Sequence, residues 1–313
     1  MSTPLAQAPA RSAGPGAPQA DGVGHHASAG HIGGAMPHPV LLAAVRAKRA
    51  VLARDAAIMK RLVDVYGALY LRLKAQAQLI AEGIALGKDS AWAQERASAL
   101  REQVEREIAR YATWLDMETQ AAAREEIARG LADARRLTEV AYAPVGPAVV
   151  GSLWHALPTD VVVTMVGMLG EDSPLYAHLT GALGEAVGEA VGRGMLEAIA
   201  LGYGPEELLA RLRQDLGKGL TWSLTATRTA QIWAYREASR AAFVANADIL
   251  DGWVWQATLD GRTCLSCIAQ HGRVHPLHEV LQDHHAGRCT MLPLPKRPAD
   301  IGLPSSLVLP DLR

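Results

Sequence analysis

Apolar residues recur at steps of three and four along the first half of the chain, which is the period of a helix with one buried stripe. The first stripe contains Ile58, Leu62, Val65, Leu69 and Leu73. The second stripe contains Leu100, Val104, Ile108, Tyr111 and Leu115. Between them, Lys88, Asp89 and Ser90 supply a break and a helix cap. The pattern therefore predicts two long amphipathic helices that form an antiparallel hairpin.

Further helices are predicted after a proline- and glycine-rich break at 144–151. A short apolar helix is expected from near Thr159, and a longer one over 175–199. One face of the longer helix carries Gly184, Gly188 and Gly192. Because glycine lacks a Cβ atom, this face allows a second helix backbone to approach closely.

The last third of the chain changes from helix to strand. Helices are predicted over 205–217 and 221–246, the first of them opening with a proline and two glutamates. Side chains then alternate between apolar and polar over 253–258, which is the period of a strand. Asp260 and Gly261 follow as a hairpin turn signal. We therefore expect a small antiparallel sheet.

Together these patterns predict a mainly α protein with four regions. Residues 1–38 contain Ala, Gly, Pro, Ser and His with few large apolar side chains, so we expect a disordered arm. A helical region covers 39–203. A small α+β module with an antiparallel hairpin and a Cys/His knot covers 204–297, and a proline-rich tail covers 298–313.

Charge and composition narrow the classes of function. Lys and Arg total 31 against 32 Asp and Glu, so no overall positive field attracts DNA or an anionic membrane. The most apolar stretch, 140–169, is interrupted by prolines and an aspartate, so no transmembrane span is expected. The N-terminus lacks the pattern of a signal peptide. All three cysteines lie between Cys264 and Cys289, which favours a reduced compartment and a metal site.

The cysteines have the spacing of a structural zinc site. Cys264 and Cys267 form a CxxC pair, and His284 and Cys289 follow some twenty residues later, completing a Cys₃His set. His285 is the rival for the fourth place. His271, His275 and His278 lie between the two halves of the knot, and any of them can displace His284. Free buried cysteines and a redox pair are the alternatives, although the βαβ pattern of a redox pair is absent.

At these residues the chain resembles the Mu F-like minor head proteins, the head-morphogenesis family of tailed bacteriophages. The family signature reads Ala-Thr-x-Asp-x-Arg-Thr-Cys-x-x-Cys, then His-Gly, then a His-Pro-x-Cys-Arg-Cys ending. This chain matches it at Ala257, Thr258, Asp260, Arg262, Thr263, Cys264, Cys267, His271, Gly272, His284, Arg288 and Cys289. Arg228 and Thr229 resemble an Arg-Thr pair that the family places on a preceding helix. Gly287 and Ala230 depart from the pattern, where the family commonly has Cys and Glu.

The resemblance covers roughly residues 190–295 and implies a function. Family members are minor components inside the virion that associate with the portal and help DNA packaging or ejection. The implied partners are the portal protein and other head proteins, with weak contact to packaged DNA. The implied location is the capsid interior near the portal, after assembly in the host cytoplasm. For Arg228 we expect a structural bridge between helix and sheet.

Two other classes compete with this interpretation. A zinc-dependent enzyme such as a base deaminase needs a His-x-Glu upstream of its CxxC, and the chain has none, so we expect no catalysis. A zinc-containing nucleic-acid-binding module would use Trp253 and Trp255 for base stacking. Its basic stripe would contain Arg228, Arg236, Arg240, Arg262, Arg273 and Arg288.

Overall fold

The computed structural model describes residues 39–166, 190, 193–194, 197, 205–284, 286–310 and 312. In this part of the chain the fold is mainly α, with a small antiparallel sheet near the C-terminus, as predicted. The predicted arm, the helix with Gly184, Gly188 and Gly192, and His285 lie outside the described residues.

Helix α1 spans Pro39–Ala85 and helix α2 spans Ser90–Ala141. Asp89 caps α2, because its carboxylate accepts a hydrogen bond from the backbone N–H of Trp92 at 2.8 Å. Every residue of the second predicted stripe is buried. The first stripe was predicted to include Val65, and this prediction is wrong. Val65 is 38% exposed, and the adjacent Tyr66 is buried instead. The helical period places Tyr66, four residues after Leu62, on the core face.

Ion pairs between α1 and α2 confirm the predicted antiparallel hairpin. Arg54 pairs with Glu126, Arg61 with Glu118 and Arg72 with Glu107. The residue number of the partner on α2 thus decreases as the residue number on α1 increases, which is the order of two antiparallel helices.

Three further helices follow, α3 over Pro147–Leu153, α4 over Thr159–Val166 and α5 over Pro205–Ala245. The predicted break at 144–151 is therefore partly wrong, because Pro147 starts α3 and proline suits the first turn of a helix. The predicted stop near Gly217 is also wrong, since α5 continues through it. Leu212 and Leu216 pack into the α1–α2 core and offset the low helix propensity of glycine.

The sheet has the order β2-β1-β3, with β1 over Leu250–Gln256, β2 over Val274–His275 and β3 over Thr290–Pro295. Both pairings are antiparallel, as predicted. The predicted tight hairpin at Asp260 and Gly261 is wrong, because helix α6 over Leu265–Gln270 separates β1 from β2.

The helices and the sheet form one compact unit over 37–313. The phenol of Tyr142, which follows α2, donates hydrogen bonds to the carbonyls of Ile249 at 2.6 Å and Lys296 at 3.1 Å. After β3 comes a 3₁₀ turn over Pro298–Ile301. None of the described helices combines the length and apolar character that crossing a bilayer requires.

Candidate metal centre

The first half of the candidate centre lies at the start of α6. Asp260 forms the turn before it, accepting hydrogen bonds from the backbone N–H of Arg262 and the hydroxyl of Thr263. Cys264 then occupies the N-cap, and its sulfur accepts from the backbone N–H of Cys267 at 3.4 Å. Cys267 is buried and Cys264 is half-buried. The CxxC pair therefore has one thiol in the core and one near the surface.

The second half lies in the turn that leads into β3. Ala286 adopts a positive φ of 58°, and its N–H donates to the hydroxyl of Thr229 on α5 at 2.9 Å. The N–H of Gly287 donates to the carbonyl of His284 at 2.9 Å. Cys289, directly before β3, is 2% exposed. This turn places His284 and Cys289 beside α6.

Two groups of donors meet here, and within each all donor atoms lie within 4.8 Å of one another. Cys264, Cys267 and His284 form the first group, and Cys267, Asp283 and Cys289 form the second. Each predicted ligand belongs to one of them, and Cys267 belongs to both. Bonds of about 2.3 Å from zinc to sulfur separate tetrahedral donors by about 3.8 Å, so the spacing suits such an ion. The cluster can therefore hold a metal ion.

Asp283 was missed by sequence reasoning. Its side chain is 1% exposed and forms a buried ion pair with Arg236 at 2.8 Å. It also accepts hydrogen bonds from the thiol of Cys267 at 3.3 Å and from the backbone N–H of Cys289 at 3.2 Å. The only signal in the sequence is a carboxylate directly before His284, and carboxylates are ordinary zinc ligands.

The environment gives the acidic groups of the centre different pKa values. Hydrogen bonds from the hydroxyl of Ser266 and the backbone N–H of Cys267 lower the pKa of Cys264 to about 6. Burial raises the pKa of the Cys267 and Cys289 thiols. Burial alone would raise the pKa of Asp283, but the charge of Arg236 and hydrogen bonds from its neighbours lower it below its usual value. Cys264 and Asp283 therefore favour their charged forms, whereas Cys267 and Cys289 favour their neutral forms.

Asp260 and Arg262 were singled out by the family signature. Asp260 forms a bidentate pair with Arg288, at 2.6 and 2.7 Å, which ties the turn before α6 to the turn before β3. Hydrogen bonds from Arg288 lower the pKa of Asp260. The side chain of Arg262 is 75% exposed and lies 4.0 Å from Asp260. Asp260 therefore supports the centre from outside it.

Arg228 and His271 also lie outside the two donor groups. Arg228 on α5 pairs with the buried Asp55 of α1 at 2.9 Å. The expected bridge from helix to sheet is therefore wrong, because Arg228 joins two helices. Nδ1 of His271 accepts the N–H of Ala257 at 3.2 Å, which links the end of β1 to the end of α6. Partial burial and the charge of Lys48 lower the pKa of His271.

The side chains that a nucleic-acid module would use are mostly engaged within the protein. Trp253 and Trp255 are buried, and Trp253 stacks on His275 with 4.3 Å between ring centroids. Carboxylates pair with five arginines of the predicted stripe, namely Arg228, Arg236, Arg240, Arg262 and Arg288. Neither tryptophan is available for stacking on bases.

A cavity of about 180 Å³ opens above the donors and is lined partly by Arg228, Arg262 and Arg288. Sites for drug-sized molecules are usually larger than about 300 Å³. Comparison with protein-family models, with curated proteins and with solved structures finds no match to this chain. The geometry of the centre is therefore the main guide to function.

Proposed function

We propose that the three cysteines hold one zinc ion as a structural centre. The shell is closed by a donor from the pair Asp283 and His284, of which the sequence predicts His284. Three thiols and one further donor are typical of closed structural zinc sites. The proposal is supported by the contacts of the centre with α6, with the turn before β3 and, through Asp283, with Arg236 on α5.

We further propose that the protein is a minor head protein of a tailed bacteriophage, of the Mu F-like class. It would associate with the portal and other head proteins and aid DNA packaging or ejection. One observation carries this proposal: signature residues that are distant in sequence contact one another. Asp260 pairs with Arg288, and Thr258 donates to the carbonyl of Arg288. Thr229 accepts from the N–H of Ala286, which stands at an unspecified position inside the last part of the signature.

These contacts favour a role in assembly over catalysis. The signature residues hold loops to a helix and to each other, which is the work of a structural module. The small cavity above the donors agrees with this role. We propose the capsid interior near the portal as its location, and the host cytoplasm during assembly, as the resemblance implies. Contact with packaged DNA is expected to be weak, because few arginines of the module lack a carboxylate partner.

Mass spectrometry of purified phage particles, together with a portal pull-down, tests this proposal. We expect the protein in the particles and in the portal complex. Cys289→Ser should reduce portal capture, because it disrupts the centre, whereas the exposed change Ser305→Ala should leave capture unchanged. Absence of the wild-type protein from both the particles and the portal complex would refute the virion role.

A further inference from the structure

Two adjacent residues offer a donor for the last ligand position of the centre. Three thiolates leave one place in a tetrahedral shell. The side chain of His284 is 55% exposed, whereas that of Asp283 is 1% exposed. Structural zinc sites exclude water from their shell, so the buried donor is better placed than the exposed one.

The two oxygens of Asp283 have different surroundings. Oδ2 accepts from Nη2 of Arg236 at 2.8 Å and from the N–H of Cys289 at 3.2 Å. Oδ1 accepts from the N–H of His284 at 2.9 Å and faces the sulfur of Cys267 at 3.3 Å. Asp283 shares its donor group with the two buried thiols, those of Cys267 and Cys289, whereas His284 shares its group with Cys267 and the half-buried Cys264.

Gly287 provides a second and independent observation. A Cβ atom built at position 287 would overlap the carboxylate of Asp283. The carboxylate therefore fills the space that any side chain at position 287 would need. A side chain at position 287 would therefore require the buried carboxylate of Asp283 to move.

We infer that Asp283 is a ligand of the metal centre through Oδ1, in the position that the sequence assigns to His284. The shell then comprises Cys267, Cys289 and Asp283, which form one donor group, together with Cys264 from the cap of α6, which lies in the other group. Arg236 is a positioning residue, because it holds Oδ2 while Oδ1 faces the sulfur of Cys267. This inference rests on the proposed zinc centre and specifies its fourth ligand.

Metal titration of the full-length chain tests the inference. The protein is made metal-free under reducing conditions, titrated with Co²⁺ and then competed with Zn²⁺. Visible absorption of Co²⁺ reports the ligand set, and competition gives the Zn²⁺ affinity. Asp283→Asn and His284→Ala are compared with Glu126→Gln. Glu126 is a matched control because its side chain is also 1% exposed and paired with an arginine, Arg54.

We expect Asp283→Asn to weaken Zn²⁺ binding on the order of 100-fold and to shift the Co²⁺ bands. His284→Ala should weaken binding by less than about threefold, and Glu126→Gln should have no effect. An equal or larger loss for His284→Ala would overturn the inference while leaving the zinc centre intact. A wild-type chain that binds neither ion would instead refute the zinc centre itself.

A double variant that moves the donor from position 283 to position 287 distinguishes loss of a ligand from simple misfolding. Gly287→Cys alone should bind poorly, because its Cβ overlaps the carboxylate. Combined with Asp283→Gly, which removes that carboxylate, the new thiol gains the vacated space. The double variant should bind Zn²⁺ within about tenfold of wild type and show stronger thiolate-to-cobalt absorption. Binding no tighter than that of Asp283→Gly alone would overturn the inference.

Discussion

The three long helices and the Cys/His knot, residues 264–289, are stabilised by different means. The helices bury aliphatic side chains such as Leu62, Leu73 and Ile108, each completely or almost completely excluded from water. Burial of one such side chain stabilises a fold by about 1.5–3 kcal/mol. In the knot, by contrast, Leu265 is 84% exposed and Ile268 is 47% exposed.

The knot buries thiols and a carboxylate beside a few apolar side chains such as Leu281, whereas the helices bury mainly apolar side chains together with some ion pairs. Cys267, Cys289 and the ion pair of Asp283 with Arg236 lie at its centre. A buried ion pair adds little net stability, because both charges lose their hydration. The comparison teaches that the knot adds few apolar side chains of its own to the cluster that it shares with β1 and α5, so it would gain from another source of free energy. A bound metal ion is such a source.

Removing the metal should produce the largest effect and should be confined to the knot region. We expect Cys267→Ser to cost the zinc-loaded chain on the order of 10 kcal/mol locally, because structural zinc contributes that much to small folds. Hydrogen exchange measured by mass spectrometry should show loss of protection in β1 and β3, with α1 and α2 retained. Chelator should have the same effect on wild type and no further effect on the variant. Unchanged protection of β1 would contradict the prediction.

A cavity in the helical core should lower the stability of the helices and leave the metal centre unaffected, which is the opposite of the effect of removing the metal. Ile108→Ala removes a fully buried side chain and should lower the free energy of unfolding by about 2–5 kcal/mol. Urea denaturation measures this loss. Zinc affinity of the folded variant should equal that of wild type, because Ile108 packs only in the helical cluster. A matching loss of zinc affinity would show that the two regions are not independent.

Lys48 joins the helices to the end of β1 and makes stability depend on pH. It lies on α1, is 7% exposed, and donates to the carbonyl of Gln256 at 2.7 Å. Burial lowers its pKa from 10.5 to about 8, which corresponds to about 3 kcal/mol. Below about pH 8 Lys48 is charged in both the folded and the unfolded state. The folded state is then destabilised by the full free energy of burying this charge. From about pH 8 to 10.5 the folded state loses the proton first, so stability rises.

Lys48→Met should therefore change the pH profile. The stability of wild type relative to the variant should increase by up to about 3 kcal/mol between pH 7 and pH 10.5. Urea denaturation across this range is the measurement. Lys60→Met, which removes an exposed lysine of the same helix, is the control. Parallel profiles for wild type and Lys48→Met would contradict the assignment.

The smallest predicted effect concerns the approach of α2 to α5. A methyl group at Gly130 would lie 2.5 Å from the carbonyl oxygen of Tyr235. Gly130→Ala should therefore destabilise the fold by about 1–3 kcal/mol, through separation of the two helices. Gly67→Ala is the matched control, because a methyl group there meets open space on α1. Thermal melting of both variants distinguishes a steric cause from the higher helix propensity of alanine.

Periodicity predicted the helical region well, because a stripe of apolar side chains is a local property of the chain. Spacing alone predicted the whole stripe of α2. The residue types at the break between the two stripes predicted its cap, which Asp89 provides. Gly217 misled the prediction, because packing of Leu212 and Leu216 against other helices outweighs a local propensity. Tertiary contacts of this kind are not visible in a single sequence.

Only those donors of the centre that follow a known Cys/His spacing could be predicted from the sequence. Cys264, Cys267, His284 and Cys289 follow a zinc pattern, and the structure places each of them in one of the two donor groups. Asp283 carries no such pattern, because its role depends on Arg236 from a distant helix and on the missing side chain of Gly287. A turn does form at Asp260, but the hairpin was mispredicted because this turn leads into helix α6 and not directly into a strand.

The apolar cluster at the start of α1 has a consequence for synthesis. Val40 and Ala44 share this cluster with Leu294 and Leu312. A ribosome makes Val40 and Ala44 long before Leu294 and Leu312. Leu137 and Ala141 of α2 belong to the same cluster, so the beginning of α1 is partly covered once α2 is made, and its packing is completed only after β3 and Leu312 have left the exit tunnel.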